Sequence, residues 1–419
     1  MRAHQYRLPV AILAAAAAAG GATVLLRPRS GVIEPATASA TDYFTDAELQ
    51  KGRDYRAPQR ALALGSLALS GAVLVVLTVR PPRAIRRALA RAGARPIAGA
   101  AAAGAGYTAA MAVVELPLAA VAHRRARNVG LATQTWAPWL ADVAKATAVG
   151  ALLTGAGTGI AESVIRRFPG RWWLPGAATV VGLSTLMVFA APVVIDPIFN
   201  KFERLPDGPL RSDVLALARE AGVEVGEVYR VDASRRTTGH NAYVWGLGAT
   251  KRVVLYDTLI DDLPDDQIRS VVAHELSHVV HKDVRRSLLW LAVVAPTGTL
   301  LVGELAERLS GEAPLGTPAA LPALALAAAL AGAVLGPLGN VLSRRVEARA
   351  DTFALDLTGD AEAFIELTRT LAVKNLADPS TPRVFQLIWG THPTTVERIG
   401  IGLAYRRPSA QSSANGHGP

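Results

Sequence analysis

The chain has 419 residues, of which 51% are hydrophobic and only 19% charged, a composition that argues against a soluble enzyme and predicts membrane-spanning helices. Its formal charge of +10 does not indicate nucleic-acid binding, because the basic residues lie at the ends of apolar segments and not in one patch with interleaved aromatic residues. The absence of cysteine excludes disulfides, thiolate metal ligands and a cysteine nucleophile.

Seven apolar segments approach or reach the roughly 20 residues that a helix needs to cross the hydrocarbon of a bilayer. They cover residues 9–26, 61–79, 97–121, 140–161, 173–195, 288–304 and 319–341. An alternative interpretation of the first segment is a secretory signal, because Arg2 and Arg7 precede it. Its apolar core is long for that role, so we expect the segment to be retained as a membrane span. The basic residues are divided almost equally between the two sides of the spans, so charge leaves the orientation open.

These spans divide the chain into five predicted parts. They are five transmembrane helices in residues 1–196, a water-exposed α+β domain in 197–287, spans six and seven in 288–341, the C-terminal part of the same domain in 342–406, and a disordered tail in 407–419. Within the α+β domain, Pro209–Ala221 has a helical pattern and Val253–Tyr256 is strand-like. The predicted fold class is therefore a mainly α, polytopic membrane protein with one small α+β domain.

The motif His-Glu-x-x-His occupies residues 274–278, inside the segment Ile268–Val280, which has no proline or glycine and is predicted to be helical. Positions i and i+4 lie on one face of a helix, so His274 and His278 can reach a single metal ion. Glu275 lies one residue further round, close to a water molecule on that ion. The alternative is a solvated helix with two surface histidines.

A third ligand completes a zinc site. The metzincin class would place glycine at 281 and histidine at 284, but the sequence has His281 and Val284 there, so that class is excluded. Glu347 is the better candidate, because the histidine pair lies just before the sixth span and Glu347 just after the seventh. Two consecutive spans form a hairpin, which returns the chain to the membrane face that it left.

The spacing also assigns roles around such a site. Three protein ligands leave the fourth position of zinc to a water molecule, whose pKa falls to about 7. Glu275 would take the proton of that water and return it to the leaving amine. Asp351 follows Glu347 by four residues and would accept a proton from a zinc-bound imidazole, although an ion pair with Arg344 or Arg345 is the alternative.

Several longer motifs, in order between residues 192 and 398, resemble those of the type I CAAX prenyl proteases and their bacterial membrane relatives. They are residues 196–202, 234–236, 240–243, 251–259, 340–351 and 391–393, together with Arg398. One departure is Ser277, where many relatives carry glycine; serine is small enough for the same place.

The resemblance implies a gluzincin-type zinc protease domain on seven tilted helices that enclose a water-filled chamber. It implies one Zn²⁺ per chain, held by the two motif histidines and Glu347, and a protease domain that faces the cytoplasm. Asn241 would hydrogen-bond the substrate backbone, and His392 and Arg398 would contact the substrate or the oxyanion, with His392 acting beside Glu275 in catalysis.

The predicted function is a membrane-embedded zinc metalloendopeptidase whose partners are the lipid bilayer and a polypeptide substrate, membrane-associated or lipidated, and not nucleic acid. A non-enzymatic membrane binding or transport protein with a vestigial zinc site is the alternative, which the intact Glu275 disfavours. Two substrate classes compete: a C-terminal tripeptide of prenylated proteins, and membrane or secreted polypeptides in general. The Ala/Arg-rich composition is typical of a GC-rich bacterial genome and favours the second.

Overall fold

The computed structural model describes residues 7–246 and 251–406, so the tail predicted to be disordered, 407–419, lies outside the described residues. Up to the first strand, the helices are α1 (Arg7–Leu26), α2 (Ala40–Tyr43), α3 (Asp46–Val79), α4 (Arg83–Ala92), α5 (Pro96–Asn128), α6 (Trp136–Arg167), α7 (Trp173–Ala190) and α8 (Asp196–Phe199). The strands are β1 (Phe202–Arg204), β2 (Glu227–Val231), β3 (Ala242–Trp245) and β4 (Arg252–Tyr256). The later helices are α9 (Pro209–Glu220), α10 (Asp257–Asp262), α11 (Asp265–Val280), α12 (Asp283–Leu309), α13 (Leu321–Thr358), α14 (Ala361–Lys374), α15 (Arg383–Trp389) and α16 (Thr395–Arg406).

In the described part of the chain, seven helical segments are long and apolar enough to cross a membrane, and each contains one of the predicted spans in full. They are α1, α3, α5, α6, the run from α7 to α8, α12, and α13 with the short turn before it. Several extend beyond the predicted apolar segments. The second span starts at Asp46, where Thr45 and Glu48 form a capping box, and the seventh continues as one helix to Thr358.

The first span packs into the hairpin formed by spans six and seven. Its buried residues recur every three or four positions and are small, which lets the helix backbones approach closely. They are Ala11, Ala15, Ala19 and Ala22 of α1, packed against Val294, Leu301, Ala331 and Leu335. The first apolar segment is therefore an integral part of the helical bundle in this fold.

The α+β domain contains a four-stranded sheet in the order β1-β2-β4-β3. β2 and β4 are parallel, whereas β1 and β3 pair antiparallel with their neighbours, which leaves β3 at an edge. The central strand β4 buries three consecutive residues, Val253, Val254 and Leu255, because both faces of the sheet are covered there. The predicted strand and the helix predicted over Pro209–Ala221 are confirmed.

The segment between the first two spans also packs on this domain. The backbone N–H of Ile33 donates to Thr352 Oγ1 at 2.9 Å, and that of Ala36 donates to the carbonyl of Gly400 at 2.9 Å. Phe44 joins the hydrophobic core of the domain. The α+β domain is thus built from the N-terminal region as well as from the two segments that its sequence patterns indicate.

The water-filled chamber that the family resemblance implies between the seven helices stays a prediction.

Candidate metal centre

The helix that carries the histidine motif is α11, and its position follows from its sequence. Asp265 and Asp266 lie in its first turn, where negative charge is favourable to the helix dipole. Its inner face packs into the domain core through residues such as Ile268, Val272 and Leu276, each fully buried. These residues repeat every four positions and therefore form one buried face of α11. The packing of this face fixes the direction in which the motif histidines point from the helix.

Both histidines direct their Nε2 atoms at the same carboxylate. The Nε2 of His274 lies 3.2 Å from Glu347 Oε2, and the Nε2 of His278 lies 3.8 Å from Glu347 Oε1. One ligand atom from each of the three residues falls within 4.8 Å of the others. Donors placed about 2 Å from a shared tetrahedral zinc ion would lie about 3–4 Å apart, so the donor set and its spacing fit that ion.

The opposite nitrogen of each ring is held by a buried aspartate. His274 Nδ1 lies 2.9 Å from Asp351 Oδ1, and His278 Nδ1 lies 3.1 Å from Asp283 Oδ2. A carboxylate can only accept, so both Nδ1 atoms donate, which leaves Nε2 as the atom of each ring that would bind a metal ion. Burial lowers the pKa of His274, but its hydrogen bonds to Asp351 and Glu347 outweigh burial and raise the pKa to about 10. The centre therefore attracts positive charge.

Glu275 lies on the wall of a cavity of about 430 Å³ beside this centre. Burial raises the pKa of Glu275, and the neighbouring His274 and His278 act in the opposite direction. Asn241, His392 and Arg398 line the same cavity. The structure thus brings together all the side chains that the sequence analysis assigned to catalysis and to the substrate.

His392 reaches the centre from the loop between α15 and α16. Its Nε2 lies 3.3 Å from Glu347 Oε2, and its side chain is 59% exposed. Thr391 Oγ1 lies 2.9 Å from His392 Nδ1, and Gln386 donates to the His392 carbonyl at 2.6 Å. The ring is therefore anchored on one side and open to the cleft on the other.

Arg398 has a different partner from the one expected. Its Nε and Nη2 donate to Asp351 at 2.9 and 2.7 Å, so the guanidinium holds the carboxylate that orients His274. Arg344 and Arg345, the alternative partners of Asp351, bond instead to the Gly390 carbonyl and to Glu34. Arg398 also lines the cavity, so binding to substrate stays a prediction beside this observed contact.

Asn241 immediately precedes the edge strand β3. Its carbonyl accepts from the backbone N–H of Tyr256 at 3.1 Å, and the residue is exposed on the cavity wall.

His281 lies apart from the centre. Its Nδ1 lies 3.0 Å from Ser277 Oγ, and its ring contacts the ring of Phe353 edge-on.

Sequence reasoning missed Asp283 and Arg349, which contact each other behind His278. A signal was present: two histidine ligands each need a partner for Nδ1, and the spacing supplied only Asp351. Asp283 follows His278 by five residues, and two side chains at that spacing would not meet on a continuous helix. Lys282 has φ = 56°, a left-handed turn that ends α11 and brings Asp283 back toward the ring.

Two family models match the chain. The model described as Peptidase family M48 covers residues 204–401, and the model described as CAAX prenyl protease N-terminal, five membrane helices, covers residues 33–201. Together they include the α+β domain and most of the spans.

Individual proteins are also similar in sequence to this chain. The chain is 32% identical over 297 residues to the uncharacterized metalloprotease YhfN of Bacillus subtilis, across 68% of this chain and 69% of the relative. It is 33% identical over 223 residues to the CAAX prenyl protease 1 homolog of Arabidopsis thaliana, an alignment that spans 52% of each chain.

A solved structure, the crystal structure of S. mikatae Ste24p, matches in fold with a TM-score of 0.75 and 20% identity, over 95% of this chain and 98% of that one. The histidine–glutamate cluster, the helical bundle and these matches lead to one conclusion. The chain belongs to peptidase family M48 and is a multi-pass membrane metalloprotease with the N-terminal membrane domain of CAAX prenyl proteases.

Proposed function

We propose that this chain is a zinc metalloendopeptidase in which His274, His278 and Glu347 hold one zinc ion and Glu275 is the general base. The observation that carries the proposal is the convergence of two Nε2 atoms and one carboxylate on a single point. Both Nδ1 atoms are occupied by carboxylates, and Glu275 lines the adjoining cavity. Two neutral imidazoles and one carboxylate are the ligand set of catalytic zinc in several known proteases.

Zinc held by these three side chains would supply a Lewis acid and would acidify a bound water molecule. Glu275 accepts the proton of the attacking water and delivers it to the nitrogen of the leaving amine. Burial raises the pKa of Glu275, which strengthens the carboxylate as a base. The one carboxylate thus serves as base and then as acid.

In this proposal, His392 stabilises the oxyanion. Its ring is anchored through Nδ1 by Thr391, while Nε2 points into the centre near Glu347. A donor aimed at the developing negative charge accelerates acyl transfer, and removing one such donor costs about 10²–10³ in rate.

The substrate would add to the edge of the sheet at β3. Asn241 and Tyr256 form a hydrogen-bonded pair, and in an antiparallel ladder such pairs alternate with open ones. Tyr243 therefore bonds inward to β4, and the N–H and C=O groups of Ala242 and Val244 point away from the sheet. An extended peptide can pair with these groups, with the exposed Asn241 amide beside it.

This mode of binding reads backbone conformation more than side chains, so we propose extended, membrane-associated polypeptides as the substrate class. Several relatives are named CAAX prenyl proteases, and a prenylated C-terminus is the narrower form of the same proposal. We further propose that the α+β domain faces the cytoplasm, as the family resemblance implies.

The test is zinc content and cleavage of an unstructured peptide by purified protein, with wild type beside Glu275→Gln. One zinc per chain in both proteins, with cleavage only by wild type, supports the metal site and the role of Glu275 together. Asp265→Asn, an exposed carboxylate on the same helix, is the control and should cleave like wild type. Zinc in both proteins without cleavage in either favours a non-enzymatic binding or transport protein, and no stoichiometric zinc in either excludes the proposed site.

A further inference from the structure

His278 is backed by a buried ionic network. Its Nδ1 lies 3.1 Å from Asp283 Oδ2, and Asp283 Oδ1 accepts from Arg349 Nη2 and, at 3.3 Å, from Arg286 Nε. Asp283 and Arg349 are each only 6% exposed. A buried carboxylate stays charged only if cations and hydrogen bonds compensate it, and here two guanidinium groups do so.

The arrangement repeats what stands behind the other histidine. His274, Asp351 and Arg398 form a row of imidazole, carboxylate and guanidinium. The row behind His278 has the same chemical order but comes from different elements. Its carboxylate belongs to Asp283, the first residue of α12, and its guanidinium belongs to Arg349 on α13. Each imidazole therefore has a charged acceptor that is itself fixed by an arginine.

We propose that Asp283, fixed by Arg349 and Arg286, is the positioning residue of His278 and sets the affinity of the metal centre. This inference rests on the zinc site proposed above. A negative acceptor on Nδ1 keeps the proton there, makes Nε2 a stronger donor to a cation and fixes the plane of the ring. His278 needs this more than His274 does, because its side chain is 24% exposed against 9% and has less packing to hold it.

The network also reaches the first span. Arg286 donates from Nη1 to the carbonyl of Leu26, the last residue of α1. That carbonyl has no partner within its own helix, because it belongs to the final turn. The end of the first span is thereby joined through Arg286 and Asp283 to a metal ligand, and the first span becomes part of the support of the centre.

The test is the zinc dissociation constant of full-length protein, measured by competition with a chelator at fixed pH. Asp283→Asn keeps the size of the side chain but removes its charge, and we expect about a 10–100-fold weaker zinc affinity, as for other partners of metal-bound histidine. Asp351→Asn should weaken binding to a similar extent. Asp265→Asn is the matched control, with an exposed carboxylate, and should bind zinc like wild type.

A second pair of variants tests the link to the first span and covers the case in which Asp283→Asn does not fold. Arg286→Gln should weaken zinc binding, whereas Arg285→Gln, its exposed neighbour, should not. The melting temperature of each zinc-free variant separates positioning from general stability. A loss of affinity at an unchanged zinc-free melting temperature supports positioning.

Wild-type affinity in Asp283→Asn and in Arg286→Gln would overturn the inference while leaving the zinc site intact. The inference also fails if both variants lose affinity only in proportion to a lower zinc-free melting temperature. Absence of zinc binding in the wild type would instead refute the proposed function, and the inference with it.

Discussion

Trp290 of the sixth span donates from Nε1 to Thr23 Oγ1 of the first span at 3.0 Å, and the same hydroxyl donates to the carbonyl of Leu338 in the seventh span at 3.1 Å. One threonine therefore connects three membrane helices. Thr23 is 6% exposed, so water has little access to replace these bonds when the hydroxyl is lost. The contact fixes the first span against the hairpin of spans six and seven, whose second helix carries Glu347.

Thr23→Val should destabilise the protein by about 1–2 kcal/mol, because it leaves the Trp290 N–H without this acceptor in an apolar setting and removes the interhelical hydrogen bond to the Leu338 carbonyl. Thermal unfolding in detergent measures this effect. Thr23→Ser keeps the hydroxyl and should lose much less. Equal melting temperatures for the valine and serine variants would show that the hydrogen bonds contribute nothing.

Gly400→Ala should separate the N-terminal segment from α16. A Cβ at residue 400 would lie 2.3 Å from the carbonyl oxygen of Ala36, a backbone atom that cannot rotate away. We expect a loss of about 1–3 kcal/mol, as for overpacking elsewhere. Gly20→Ala on α1 is the control, since nothing lies within 4 Å of its added methyl. Melting temperatures of the two variants provide the comparison, and a loss no larger in Gly400→Ala would contradict the packing described.

His240 makes stability depend on pH. Burial lowers its pKa, although its Nε2 lies 3.1 Å from Asp262, which also binds Lys374. The unfolded chain takes up a proton near pH 6.5, whereas the folded protein resists protonation until lower pH. Its contribution to stability is therefore complete above about pH 6.5 and is lost as pH falls from there through the folded pKa.

The measurement for His240 is the melting temperature between pH 7.5 and 5.5. Wild type should lose more stability over this range than His240→Gln, which cannot be protonated. Parallel pH dependences in the two proteins would show that His240 does not cause the effect.

Local patterns predicted that His274, His278 and Glu347 lie close together, as they do in the structure, and long-range contacts explain what these patterns missed. The faces of His274 and His278 follow from helical periodicity, and Glu347 follows from the return of a hairpin to one membrane face. Asp283 could not be placed in the same way, because its contact with His278 depends on the left-handed turn at Lys282.

The same distinction applies to the fold. Apolar length predicted seven spans, but the polar extensions of the second and seventh helices have no apolar signal. Ile33 and Ala36 contact the α+β domain through single hydrogen bonds from their backbone N–H groups, to the Thr352 hydroxyl and to the Gly400 carbonyl, across more than 300 residues. No local pattern encodes such contacts. The contact of Arg398 with Asp351 is likewise tertiary.

Removal of the metal should lower the melting temperature. Any ligand that binds only the folded state stabilises it, by about 2.7 kcal/mol when its free concentration is 100 times Kd. Treatment with a chelator should therefore shift unfolding to lower temperature, and added zinc should restore it. His278→Ala should show neither change, because it removes one of the three proposed ligands. A chelator shift of the same size in His278→Ala would place the stabilising metal elsewhere and contradict the centre formed by His274, His278 and Glu347.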